Sequence, residues 1–86
     1  MNFNSEIRNR IRLSLAAYAY EYKDDPIMSD DEFDSLAKKI NVNEKTGNRK
    51  LDNFFKKHFE TDTGMWIRKH PELNKIDFIY QKYRKK

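Results

Sequence analysis

Eighty-six residues with a net charge of +4, only 37% hydrophobic residues and no cysteine suit one domain, residues 1–86, with a small core that no disulfide or thiolate metal site can staple. Six Phe, five Tyr and one Trp have to fill that core, since each ring buries roughly 150–250 Å². Two Gly and two Pro are too few for a fold of many strands and turns, and the expected class is all-α. No apolar run approaches the ~20 residues of a membrane span, no signal-peptide core opens the chain, and a soluble cytoplasmic protein is expected.

Phe3, Ile7, Ile11, Leu15, Tyr18 and Tyr22 recur at steps of three and four, which predicts a first helix with this stripe as its main apolar face, capped by Asn4 or Ser5. Leu13, Ala17 and Tyr20 form a second line beside it, so the helix is expected to sit centrally with neighbours on two sides. Asp24-Asp25-Pro26 ends it, because proline disfavours α geometry in the residue before it and has no N–H of its own.

Ser29 with Glu32 three residues later is a capping box, and Met28 with Phe33 is the matching hydrophobic staple. Asp30, Asp31 and Glu32 lie on the positive end of this second helix, which runs through Leu36 and Ala37 to Ile40. Residues 41–48 are polar, include Gly47 and read as a loop, with Asn48 as the cap of a third helix. Leu51, Phe54, Phe55, His58 and Phe59 mark the core face of that helix, with Lys50, Asp52, Asn53, Lys56 and Lys57 turned to water. Thr61-Asp62-Thr63-Gly64 is a break, and Met65-Trp66-Ile67 an apolar cluster in a helical turn or anchored loop. Pro71 suits the first turn of a last helix whose apolar line is Leu73, Ile76, Ile79 or Tyr80, and Tyr83. The architecture expected is a small bundle of four main helices with one extra turn.

Catalytic patterns are missing from this sequence: it holds no phosphate-cradling Gly-rich loop, no Cys nucleophile and no Gly-x-Ser-x-Gly elbow. His58 and His70 stand apart without further ligands at zinc spacing, and the acidic run lacks the alternate acids and central Gly of a calcium loop. A structural role is expected for both histidines, and no metal, cofactor or enzymatic activity is expected. Charge, by contrast, is segregated. Glu21, Asp24, Asp25, Asp30, Asp31, Glu32 and Asp34 face Lys23 alone between residues 17 and 34, whereas the rest of the chain is basic and ends in Tyr83-Arg84-Lys85-Lys86. Such polarity orients an approaching partner.

The stretch from Tyr18 to Leu36, Tyr-Ala-Tyr-Glu-Tyr-Lys-Asp-Asp-Pro-Ile-Met-Ser-Asp-Asp-Glu-Phe-Asp-Ser-Leu, resembles the N-terminal helical subdomain, domain Ia, of NAD-dependent DNA ligases. The resemblance covers roughly residues 8–40. It implies a helical hairpin and, at Tyr20, Asp30, Phe33 and Asp34, contact with the nicotinamide mononucleotide half of NAD. Two positions depart from the family pattern: Glu21 stands in place of its histidine, and Phe33 in place of its tyrosine. Glu21 would repel a phosphate, and the lost hydroxyl at Phe33 removes a polar partner typically worth about 1–3 kcal/mol in a buried site. The ligase nucleophile motif Lys-x-Asp-Gly is absent.

The function expected is that of a noncatalytic binding module, of the kind phages and mobile elements encode, docking a protein partner through its charge-polarised helical surface. The alternatives are nucleic-acid binding through Lys50, Lys56, Lys57, Lys82, Arg84, Lys85 and Lys86, where cations and rings alternate, and a vestigial nicotinamide mononucleotide or NAD site on the hairpin.

Overall fold

The computed structural model describes residues 5–61 and 63–84, in which the chain forms α1 (Ser5–Lys23), α2 (Asp30–Lys39), α3 (Arg49–His58), a 3₁₀ turn (Met65–Lys69) and α4 (Leu73–Arg84). This is the expected all-α bundle, with no strand among the described residues. The expectations for Phe3, Asn4, Asp62, Lys85 and Lys86 lie outside those residues. No helix among them is long and apolar enough to cross a membrane.

Local chemistry sets the element ends. α1 has no Gly or Pro and stops where Asp24 takes a left-handed φ of 52°, with the Asp25 N–H donating to the Ala19 carbonyl at 2.9 Å. Asp adopts that region more readily than most side chains. At α2 the capping box forms as expected: the Ser29 hydroxyl accepts from the Glu32 N–H at 3.1 Å and the Glu32 carboxylate from the Ser29 N–H at 3.0 Å. The Ser29 N–H first, and the Ser29 side chain next, hold the Glu32 carboxyl below its ordinary pKa. Asn48 caps α3 by accepting from the Leu51 N–H. Pro71 falls outside the first turn of α4: the carbonyl of Glu72 takes the first helical N–H groups, those of Lys75 and Ile76. His70 prepares that start, its Nδ1 accepting from the Glu72 N–H at 3.0 Å.

One core cluster draws on every element, with Leu13, Ala17 and Tyr18 from α1, Leu36 and Ala37 from α2, Phe54 and Phe55 from α3, Trp66 and Ile67 from the 3₁₀ turn and Ile76 from α4. Met28, Phe33, Leu73 and Tyr80 pack on its margin. α1 is central, touching α2, the 3₁₀ turn and α4. Trp66 lies tilted or edge-on to Phe54, Phe55 and Phe59 at centroid distances of 5.1–6.1 Å, geometries that suit ring quadrupoles better than face-to-face stacking.

The buried face of α1 is rotated from the stripe that its periodicity predicts. Ile11 and Tyr22 of that stripe and Tyr20 of the second line are exposed, while Tyr18, Leu13 and Ala17 are buried as expected, together with Ala16, Glu6, Arg10 and Ser14. An ion network makes this rotation tolerable. Arg10 donates to Glu6 at 2.6 Å, to Asp52 at 2.9 Å, and to the carbonyls of Asn41 and Glu44 at 2.7 and 3.2 Å. Asp52, expected on the wet face of α3, instead turns inward and also accepts from the Thr46 hydroxyl and N–H. Burial pushes its carboxyl pKa up, but the Thr46 bonds and the Arg10 charge outweigh that and leave it below the ordinary value. The network thus ties the start of α1 to the 41–48 loop and to α3. At its other end α1 is tied to α4, with the Tyr18 hydroxyl donating to Asp77 at 2.6 Å and the Tyr80 hydroxyl to Asp25 at 2.8 Å.

Candidate functional site

The α1–α2 hairpin encloses a groove of about 170 Å³. Ala16, Ala17 and Tyr20 form one side, Pro26, Ile27 and Met28 the turn, Asp30 and Phe33 the other side, and Gly64 the floor. The small side chains of Ala16 and Ala17 open it. The capping box fixes it, because Ser29 and Glu32 set the angle at which α2 leaves the turn and hence where Asp30 and Phe33 project.

Of the four hairpin residues singled out by sequence, three meet here. Tyr20 is 60% exposed on the rim, Asp30 is exposed and Phe33 is half-buried against the core. Asp34 does not join them: it lies outside the groove lining and pairs with Lys38 at 3.2 Å, one turn along α2. Glu21 is also engaged, accepting from Arg68 at 3.2 Å, so the repulsion of an anion that its charge implies is offset by a cation from the 3₁₀ turn. Arg68 lies 5.8 Å from the Tyr22 ring centroid as well.

In the sequence Gly64 reads only as a break. In the fold a Cβ there would rest 3.4 Å from both Ala17 Cβ and Phe33 Cζ and fill the floor. Met65 follows it and is 57% exposed, adding apolar surface next to the groove floor. The groove can therefore hold one flat or elongated apolar group against Tyr20, Met28 and Phe33, with the Asp30 carboxylate available to a cation or donor.

The basic residues are distributed differently. Lys50, Lys56 and Lys57 are exposed on α3, and Lys82 is exposed on α4 with its ammonium 4.9 Å from the Phe78 ring centroid. Arg84 ends α4. The two groups sit on helices with different neighbours, α3 packing on the 3₁₀ turn and α4 on α1. His58 packs its ring 5.7 Å from Phe54, and His70 is buried with its ring 5.1 Å from Phe54. Burial lowers the His70 pKa to about 4, against a smaller upward pull from Glu72. Among the described residues no group of three His, Cys, Asp or Glu side chains is arranged to hold a metal ion.

Comparison of the chain with protein-family models, curated proteins and solved structures gives no match.

Proposed function

We propose that this chain is a noncatalytic binding module that docks a basic segment of a protein partner on the α1–α2 hairpin. The observation that supports this most directly is the convergence of Tyr20, Asp30 and Phe33 on one groove within the most acidic stretch of the chain. A cavity of about 170 Å³ is small for a drug-sized ligand, whose sites run from roughly 300 Å³ upward. It suits a single side chain. An Arg or Lys of the partner would lay its stem on Phe33 and Met28 and its charge on Asp30 and the Tyr20 ring, a combination of ion pairing and cation–π attraction. The surrounding Asp24, Asp25, Asp31 and Glu32 would steer such a partner before contact.

The test is a titration of the isotope-labelled chain with a short arginine- and lysine-rich peptide at low and high salt. Amide shifts should centre on Tyr20, Asp30, Phe33 and Gly64, weaken with salt, and diminish severalfold in Asp30→Asn. Salt-insensitive binding, or shifts centred on α3, would sink the reading.

The same convergence favours a second reading, in which the groove takes nicotinamide mononucleotide or the corresponding half of NAD, as the ligase resemblance implies. A flat cationic ring fits the same aromatic and acidic wall. Asp34, turned to Lys38, speaks for weakened affinity. Calorimetry with each nucleotide separates the readings: heat at millimolar ligand supports the nucleotide, and no heat leaves the peptide. Binding of a mixed oligonucleotide at low ionic strength, read at Lys50, Lys56, Lys57 and Lys82, would instead favour the basic helices.

A further inference from the structure

On the other flank of α1, facing α3 and α4, lies a second and larger groove, about 280 Å³, with a wall that is almost wholly apolar. Ile11, Leu51, Phe55, Ile76 and Ile79 form most of it. Ile11 is 37% exposed at its mouth, so the groove opens to solvent and is not a sealed packing defect.

The one buried charge bordering this groove, Arg10, is already matched. Arg10 is held by Glu6, Asp52 and two backbone carbonyls. Lys75 pairs with Glu72 at 3.4 Å. His70 is neutral at pH 7, since burial lowers its pKa to about 4. An ionic ligand would lose hydration in this groove and find no free counter-charge.

Two residues of the same wall keep a polar group able to donate. The Glu72 N–H donates to His70 Nδ1, which puts the ring proton on Nε2, and that N–H reaches open space and is closed on no acceptor among the described residues. The Ser14 hydroxyl, on a fully buried residue, likewise has no partner among them. Both residues line the groove. A hydrogen-bond acceptor carried on an apolar body would complete what the wall leaves open.

We propose that the groove between α1, α3 and α4 is a binding site for a small uncharged apolar molecule bearing one hydrogen-bond acceptor, which accepts from His70 Nε2–H. Size narrows the class. A cavity of ~150 Å³ takes a single benzene ring, so this one accommodates a bicyclic ring system or a branched chain of similar bulk. The site is separate from the hairpin groove and does not rest on the function proposed for it.

Three probes of nearly equal shape test the idea on the full chain: 1-indanone, which carries a carbonyl, indane, which carries none, and indane-2-carboxylate, which carries a charge. Followed by amide and imidazole resonances, 1-indanone should give saturable shifts at Ile11, Leu51, His70 and Ile76 and slow the exchange of the His70 Nε2 proton. Indane should bind about fivefold more weakly, the loss of roughly one neutral hydrogen bond, and leave that proton unprotected. The carboxylate should not bind at the same concentrations. Ile11→Trp, at a partly exposed rim position that tolerates bulk, should block 1-indanone while the fold persists. The proposal is overturned if 1-indanone gives no saturable shift, or if the carboxylate binds as well as the ketone.

Discussion

The two grooves on α1 differ in what their charges do. In the hairpin groove Asp30 stands exposed in an acidic stretch, available to whatever approaches. In the groove facing α3 and α4, Arg10 is closed on two carboxylates, Lys75 stays in water at the edge, and the interior wall keeps only neutral polar groups. The cause lies along α1 itself. Its first half carries Glu6 and Arg10 on the inward face, where burial requires that each be paired. Its second half carries Ala16, Ala17 and Tyr20, so acids from the turn and α2 can stay in water. One helix thereby offers an electrostatically open surface and an electrostatically closed one.

Breaking the closed side should have the largest effect. Arg10→Met keeps the stem but leaves Glu6 and Asp52 without their cation, at side-chain exposures of 4% and 18%. Removing one member of a buried pair typically costs about 3–5 kcal/mol, a large share of the stability of a small domain. Urea unfolding should register a loss of that size. A loss below about 1 kcal/mol would show that the network is wet, and the contrast between the two sides of α1 would fail.

Acid probes the same side through His70. Its folded-state pKa of about 4 lies below the ordinary 6.5, so between those values the unfolded chain binds a proton that the folded chain refuses. Stability from this group is complete above pH 6.5 and is lost as pH falls toward 4. The loss builds across that window. Asp52, held below its ordinary 3.8, adds its own loss only under more acidic conditions. Urea midpoints measured from pH 7 to 4 should fall, and His70→Asn, which keeps an acceptor for the Glu72 N–H, should flatten that slope. A slope unchanged in the variant would assign the acid sensitivity elsewhere.

Legibility in the sequence divides along the same line. The hairpin is legible because its determinants are local: Ser29 and Glu32 are three residues apart, Pro26 stops one helix, and Tyr20, Asp30 and Phe33 meet through that short turn. The closed side depends on partners distant in sequence. Asp52 lies 42 residues from Arg10, and no spacing rule connects them. Glu6 and Arg10 at i, i+4 look like an ordinary surface pair until α3 and the 41–48 loop cover them. Their inward turn is also why the Ile7, Ile11 and Tyr22 stripe does not become the core face. Gly64 reads in sequence only as a break and His70 only as a structural histidine, because their particular roles, a groove floor and an acceptor for one N–H, require knowing what packs above them.

On the open side the effects should be smaller and confined to the hairpin. Ser29→Ala removes the acceptor for the Glu32 N–H and should cost about 1 kcal/mol, the usual worth of an N-cap. Because the cap also sets the angle of α2, binding at Tyr20, Asp30 and Phe33 should weaken, while 1-indanone binding on the opposite flank should not change. Equal weakening at both grooves would mean that the two sides of α1 are coupled rather than independent.

The smallest effect discriminates best between the readings of the hairpin. Asp34 pairs with Lys38 across side chains that are 54% and 70% exposed, a surface pair of the kind that contributes well under 1 kcal/mol. Asp34→Ala should therefore leave the urea midpoint almost unmoved. It should also leave a basic peptide bound as before, since Asp34 does not line the groove. A nucleotide bound in the manner of the ligase subdomain would draw on this carboxylate, and Lys38 would have to release it. Severalfold weaker nucleotide binding in Asp34→Ala, with peptide binding intact, would place Asp34 at the ligand after all and move the hairpin from a side-chain groove to a nucleotide site. Intact binding of both would confine recognition to Tyr20, Asp30 and Phe33.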